Sequence, residues 1–341
     1  MKNSEKPPEK GSSEKSVKDQ TFHEISIAIL KTIEGGLPFD VYIRRAEGTY
    51  TRLFAKNDTI ETERFTNYQV QKGISDLFVR KEDYQQYLIF VDRVAKDWLS
   101  NPDHITLEQR LHLVNELVGL SVFELVVQYQ VDAASVEHAS QAIRACIGLL
   151  AKDPKSFATL FKHLSHHPYV VRHSITTSLF ALLLARKLEL TSDKSLTIVG
   201  LGAFLHDIGM SRLPFNAEEK TDLTPEEWRM IKEHPQIGKR LLEGVKAVPQ
   251  EVRMMVLEHH EQPNGSGYPS GLHDKEIFLL SKLVSIADSF SALTSKRPFR
   301  ENPCSPIEAL SLMNEERGKF DMKLLATFRD LFVPIKSGAK R

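Results

Sequence analysis

Val199-Gly200-Leu201-Gly202-Ala203-Phe204-Leu205 carries no polar side chain, and His206-Asp207-Ile208-Gly209 follows it directly. The run reads as an apolar helix that ends at Gly209, a natural C-cap. An ionisable pair thus closes a helix built for a core. Burying a carboxylate there is costly unless a cation or hydrogen-bond donors compensate it, and a metal ion is the simplest compensation. An exposed helix terminus would account equally well for an isolated His-Asp pair, so the rest of the chain has to decide.

Asp288 repeats the pattern independently. It continues the stripe Leu280, Val284 on a helix whose Leu283, Ala287 and Leu293 point inward. His259 and His260 end a further apolar helix marked by Val252, Met255 and Val256. Adjacent helical residues diverge by about 100°, so these two reach either two metal ions or two sides of one pocket. Nine of the 13 histidines lie between His163 and His273, a third of the chain that would hold about four under even scattering. Clustering favours a metal site without saying which histidines are ligands. His163, His166 and His167 also fit polar surface positions near a helix end.

Outward from this region the chain divides in two. Residues 1–20 are Lys, Glu, Ser, Pro and Gly with little to bury, the composition of a disordered tail. Residues 21–100 read as a small α+β module. Phe39 to Arg44 and Tyr50 to Phe54 alternate around a Glu47-Gly48 turn, and Ile74 to Arg80 supplies a third strand. Tyr84, Tyr87, Leu88, Val91, Val94, Ala95 and Trp98 then recur at helical spacing behind Glu82-Asp83, with the aromatic residues expected in the core. A helical linker is expected over 101–138 and an all-helical domain over 139–335. Its helices are placed near His173 to Leu188, Ser195 to Asp207, Pro225 to Leu242, Glu251 to His260 and Ile277 to Thr294.

Acidic and basic residues balance at 45 each among 341, which gives no support for wrapping DNA or binding an anionic membrane. No apolar run is long enough to span a bilayer. Two distant cysteines, Cys146 and Cys304, fit a reducing compartment, and the expected location is cytoplasmic.

Taken together, His206-Asp207-Ile208-Gly209, His234-Pro235-Gln236-Ile237-Gly238, His259-His260-Glu261 with Gly265-Ser266-Gly267-Tyr268-Pro269, and Ile286-Ala287-Asp288 with Ala292 to Arg300 resemble the HD-GYP domain over residues 140–335. That branch of the HD phosphohydrolases typically hydrolyses cyclic di-GMP in bacterial second-messenger signalling. The resemblance implies a mainly α fold, an all-helical HD-type phosphohydrolase domain preceded by the α+β module. It also implies a phosphodiesterase that yields linear pGpG and then GMP. His206 and Asp207 take the catalytic positions. His173, His206, Asp207 and Asp288 look like ligands of one metal, with Asp207 bridging to a second held by His234, His259 and His260. The two divalent ions would be iron or manganese, with zinc as a further option. Gly267, Tyr268, Arg297 and Arg300 look like the substrate side, and Gly265 and Gly267 would let backbone approach the ligand. The N-terminal module is then a regulatory domain open to a signalling partner.

Three positions depart from the family pattern. Met210 stands where the family usually has lysine, Tyr169 where some members have a glutamate that supports a third metal, and Asn264 where aspartate is usual. The alternative reading, motivated by Met210, is a weak or inactive member that binds cyclic di-GMP or a protein as an effector.

Overall fold

The computed structural model describes residues 22–332 apart from 26–29, 31–34, 47, 60–75, 101–105, 123, 126–130, 153–158, 163–168, 218–219 and 297–301. The expected tail, Arg297, Arg300 and His163, His166 and His167 lie outside the described residues. Two compact units emerge, Met1–Ser100 and Asn101–Arg341.

In the first unit, β1 (Phe22–Ile25), β2 (Val41–Ala46), β3 (Thr49–Phe54) and β4 (Leu77–Arg80) form an antiparallel sheet in the order β1-β4-β2-β3. β1 escapes a sequence reading because four residues are too few for alternation to show, and its partner β4 lies far along the chain. α1 (Lys81–Ser100) packs against β4 and β1, and its Tyr84, Tyr87 and Trp98 are buried. Phe39 meets Tyr87 edge-on at 5.6 Å between ring centres.

Asp40 ties the β2–β3 hairpin to the loop after it. Its carboxylate accepts the Lys56 backbone N–H at 2.7 Å and the Arg52 guanidinium at 3.1 Å. Burial pushes this carboxyl up, but those donors outweigh burial and hold it below the usual carboxylate range. A depressed folded-state pKa contributes stability above the unfolded value, and that contribution is lost as pH falls through the folded value. Asp40→Asn is therefore expected to cost the first unit about 1 kcal/mol at pH 7. In urea titrations the gap from wild type should close as the pH is taken into the acid range where Asp40 protonates.

The second unit is mainly helical among its described residues, with one isolated bridge, Asn264 to His273, in the loop over 259–278. α2 (Leu107–Val122) lies in the stretch expected as a linker, yet Leu111, Val114, Leu117 and Val118 are buried and the helix packs along α3 (Ala133–Lys152). The central helix α4 (Tyr169–Lys187) is buried along most of its length and packs on α5 (Asp193–Leu205) and on the later helix α9 (Leu279–Thr294). α6 (Pro225–Lys232), α7 (His234–Glu243), α8 (Gln250–Glu258) and α9 (Leu279–Thr294) follow, and α10 (Pro306–Glu315) and α11 (Met322–Arg329) close the unit. Phe290 of α9 is packed among Phe180, Phe328 and Phe332 with ring centres 4.8, 5.0 and 4.7 Å away. Phe290→Ala should destabilise this unit by about 3–5 kcal/mol in thermal or urea unfolding.

Two expectations need correction. Pro225 to Leu242 is two helices, because the ring of Pro235 has no N–H to continue α6. Gly209 is not a C-cap: α5 stops at Leu205, and Gly209 sits within a short 3-10 helix, Ile208–Arg212. Its glycine identity comes from close approach, since a Cβ there would lie 2.0 Å from the His234 carbonyl oxygen and 2.7 Å from the Gly238 nitrogen. Contact between these two backbones brings Asp207 and His234 into one site.

Candidate metal centre

Three helices of the second unit terminate at this site, and a histidine stands at each end. His206 caps α5, His259 caps α8, and His234 follows the last turn of α6. Helix ends leave carbonyls without intrahelical donors. His206 Nδ1 bonds the Ala203 carbonyl at 2.7 Å, His234 Nδ1 that of Ile231 at 2.6 Å, and His259 Nδ1 that of Val256 at 2.8 Å. The Ile231 carbonyl is the one that Pro235 cannot serve, so the His-Pro pair supplies from a side chain the donor that proline removes.

A carbonyl oxygen only accepts, so each Nδ1 carries the proton. Each neutral ring then turns the lone pair of Nε2 inward. His173 reaches the same tautomer by another route. Its Nδ1 lies 3.2 Å from Ser291 Oγ, which is 2.5 Å from Thr176 Oγ1, and the Thr176 hydroxyl donates to the His173 carbonyl at 3.2 Å. Thr176 spends its only proton there, so Ser291 donates to Thr176 and accepts from His173. Both hydroxyls are buried.

These lone pairs face other lone pairs. His234 Nε2 and His259 Nε2 are 3.1 Å apart, and His234 Nε2 is 3.2 Å from Asp207 Oδ1. His206 Nε2 lies 3.2 Å from Asp207 Oδ2, and His173 Nε2 lies 3.1 Å from Asp288 Oδ1. The buried His206 Nε2 has no hydrogen-bond partner. Only positive charge makes such an arrangement favourable, and the negative ends of three helix dipoles ask for it too. Burial disfavours an imidazolium at His206, yet Asp207 and Asp288 outweigh burial and push its pKa up to about 9. Both carboxyls are opposed by burial as well, but the histidines hold Asp207 well below its ordinary range and Asp288 also below it.

The ligand-type atoms fall into two groups, His173, His206 and Asp288 in one and Asp207, His234, His259 and His260 in the other, with the atoms of each group within 4.8 Å of one another. Asp207 turns Oδ2 toward the first group and Oδ1 toward the second. Nitrogen and carboxylate donors so spaced fit a pair of divalent cations.

Tyr268 stands beside the second group, its ring 4.7 Å from that of His260. Burial, then Asp207 and Asp288, push its phenol above the usual range, so it acts as a donor. Gly267 answers to the chain itself, because a Cβ there would lie 2.4 Å from the Gln262 nitrogen and 2.6 Å from the His260 carbonyl oxygen. Glu261 secures the same loop by accepting the N–H groups of Ser270 at 2.6 Å and Leu272 at 2.9 Å. Glu261, Ser291 and Thr176 were not among the residues expected at the site. Ser291 and Thr176 stand three residues beyond Asp288 and His173, the helical spacing that could have flagged them.

Residues 160–324 match the family described as the HD domain. A cyclic di-GMP phosphodiesterase of Pseudomonas aeruginosa is 32% identical over 198 residues, covering 58% of this chain and 47% of that protein. The cyclic di-GMP phosphodiesterase response regulator RpfG of Xanthomonas campestris is 37% identical over 139 residues, 40% of this chain and 36% of that one. The chain thus spans less than half the length of these curated relatives. A solved structure of an HDG"Y"P protein from Bdellovibrio bacteriovorus aligns with a TM-score of 0.63 at 20% identity, over 91% of this chain and 99% of the other, a likeness of fold. The match to the HD domain over residues 160–324 implies binding of divalent metal.

Ser291→Ala removes the group that orients His173. Metal content of the purified variant, read by mass spectrometry after dialysis against dilute chelator, should show about tenfold weaker retention of one ion per chain, with the fold unchanged by circular dichroism.

Proposed function

We propose that the second unit is a metal-dependent phosphodiesterase that opens cyclic di-GMP to linear pGpG and then GMP. The observation that carries this reading is the pair of ligand groups joined through Asp207 at the floor of a cleft of about 1040 Å³, which His173, His234, His260, Tyr268 and Asp288 also line. The activities of the Pseudomonas and Xanthomonas relatives lend it support.

His173, His206, Asp207 and Asp288 would hold one ion, and Asp207, His234, His259 and His260 the other; iron or manganese suits this donor set. Two such ions lower the pKa of bound water and neutralise charge on a phosphodiester. The protein's own part is positional. The Nδ1 bonds fix the ring planes, and the half-buried Tyr268 keeps its phenol proton to donate to a phosphate oxygen or a base. Cys146 and Cys304 are both free thiols, in keeping with a cytoplasmic enzyme. The first unit serves as a regulatory module that receives a protein partner.

A second reading, a slow or silent effector, rests on Met210. It lines the cleft where the family pattern places a cation. Two lysines share that lining but are already paired, Lys220 with Glu227 and Lys319 with Glu316 at 2.7 Å. Both lysines among the described residues lining this cleft are thus answered by carboxylates.

Protein loaded anaerobically with iron or manganese should convert cyclic di-GMP to pGpG on chromatography. His206→Ala and Asp207→Ala should lose metal and activity together, and Met210→Lys should raise turnover about tenfold or more. Metal-replete wild type that binds the nucleotide and leaves it intact would establish the effector reading instead.

A further inference from the structure

We propose that Trp228 is a stacking platform for one purine base of the bound cyclic dinucleotide, an inference that rests on the phosphodiesterase reading above. Trp228 of α6 lines the cleft that holds the candidate ligand groups and remains 51% exposed. Among the described residues, the other large apolar side chain that is exposed and lines this cleft is Leu312 of α10. An isolated exposed apolar residue needs no explanation. A half-exposed indole in a cleft lined by His173, Asp207, His234, His260 and Asp288 is different, because it offers a π face beside a phosphodiester-type site.

The platform is rigid at both ends. Thr224 and Glu227 form a capping box at the start of α6 with Pro225 in its first turn, and at the other end Ile231 is buried and its carbonyl accepts the proton of His234 Nδ1. Trp228 is therefore fixed to the same short helix whose terminus orients a ligand histidine. One helical turn further on, Lys232 shares its face and places Nζ 5.8 Å from the centre of the Tyr268 ring, which in turn lies against His260. That face thus runs from the indole through a cation and a phenol to the ligand groups. A cyclic dinucleotide carries its features in the same sequence, a flat base, a sugar and a phosphodiester. Stacking on an aromatic ring contributes about 1–3 kcal/mol per base and tolerates any purine.

The chain's other tryptophan, Trp98, is buried in the first unit, so indole fluorescence separates the two. A hydrolysis-resistant phosphorothioate analogue of cyclic di-GMP, titrated into the metal-loaded full chain, should quench emission in wild type and in Trp98→Phe, and should leave Trp228→Phe unquenched. Trp228→Ala should bind the analogue about tenfold more weakly by calorimetry, while Trp228→Phe retains most of the affinity. With cyclic di-GMP itself, Trp228→Ala should raise KM and leave kcat and metal content near wild type. Binding by Trp228→Ala within about twofold of wild type, or quenching that persists in Trp228→Phe, overturns the platform and leaves the phosphodiesterase reading standing. Failure of metal-loaded wild type to bind the analogue overturns both.

Discussion

The centre of this protein depends on helix ends that need donors. α5, α6 and α8 each finish with carbonyls that lack their regular i+4 backbone donor, and each gains one in the Nδ1 proton of His206, His234 or His259. One bond thereby settles three matters: where the helix stops, how the imidazole plane is turned, and which nitrogen keeps its lone pair. Close packing of Gly209 against the His234–Gly238 backbone then brings those rings around Asp207. The site is largely a by-product of ending helices in one place, which is why most of its ligand side chains are buried.

Much of this was legible in the residues because chemistry and periodicity disagreed there. His206-Asp207 and Asp288 stand out as ionisable groups on elements otherwise patterned for a core, and the structure brings them together with His173, His234, His259 and His260. Less legible was anything that depends on contact between distant segments. Gly209 reads as a C-cap from its neighbours alone, and its role comes from His234, twenty-five positions away. Pro235 is visible as a break, but the compensation by the adjacent imidazole belongs to three dimensions. Ser291 and Thr176 are small hydroxyls on apolar helices, marked in sequence only by lying one turn from Asp288 and His173, and their joint role shows once His173 is seen beside them. In the first unit β1 fails for a different reason, since four residues hold too little alternation to identify a strand. Of the expected substrate side, Tyr268 stands at the cleft, Gly267 is needed by the loop's own backbone, and Arg297 and Arg300 fall outside the described residues.

Met210 and the paired lysines set binding and turnover on different footings. The walls offer shape, an aromatic face and a phenol donor, all of which act on a bound ground state as well as on a transition state. Under the proposed reading, charge growing on phosphorus would find Lys220 and Lys319, among the described lining residues, already answering to carboxylates.

The division of Asp207 between the two ligand groups has a consequence for how they fill. One carboxylate whose oxygens face opposite ways cannot serve either group without being oriented for the other. An ion in the first group removes rotational freedom that an ion in the second would otherwise have to remove, and it also withdraws negative charge from the shared residue. Order and charge thus pull in opposite senses. Whichever is larger sets the sign of the coupling, and thermodynamic reciprocity makes that coupling equal in both directions. Ions bound at both groups would therefore load as one coupled unit, with a curve that belongs to the pair.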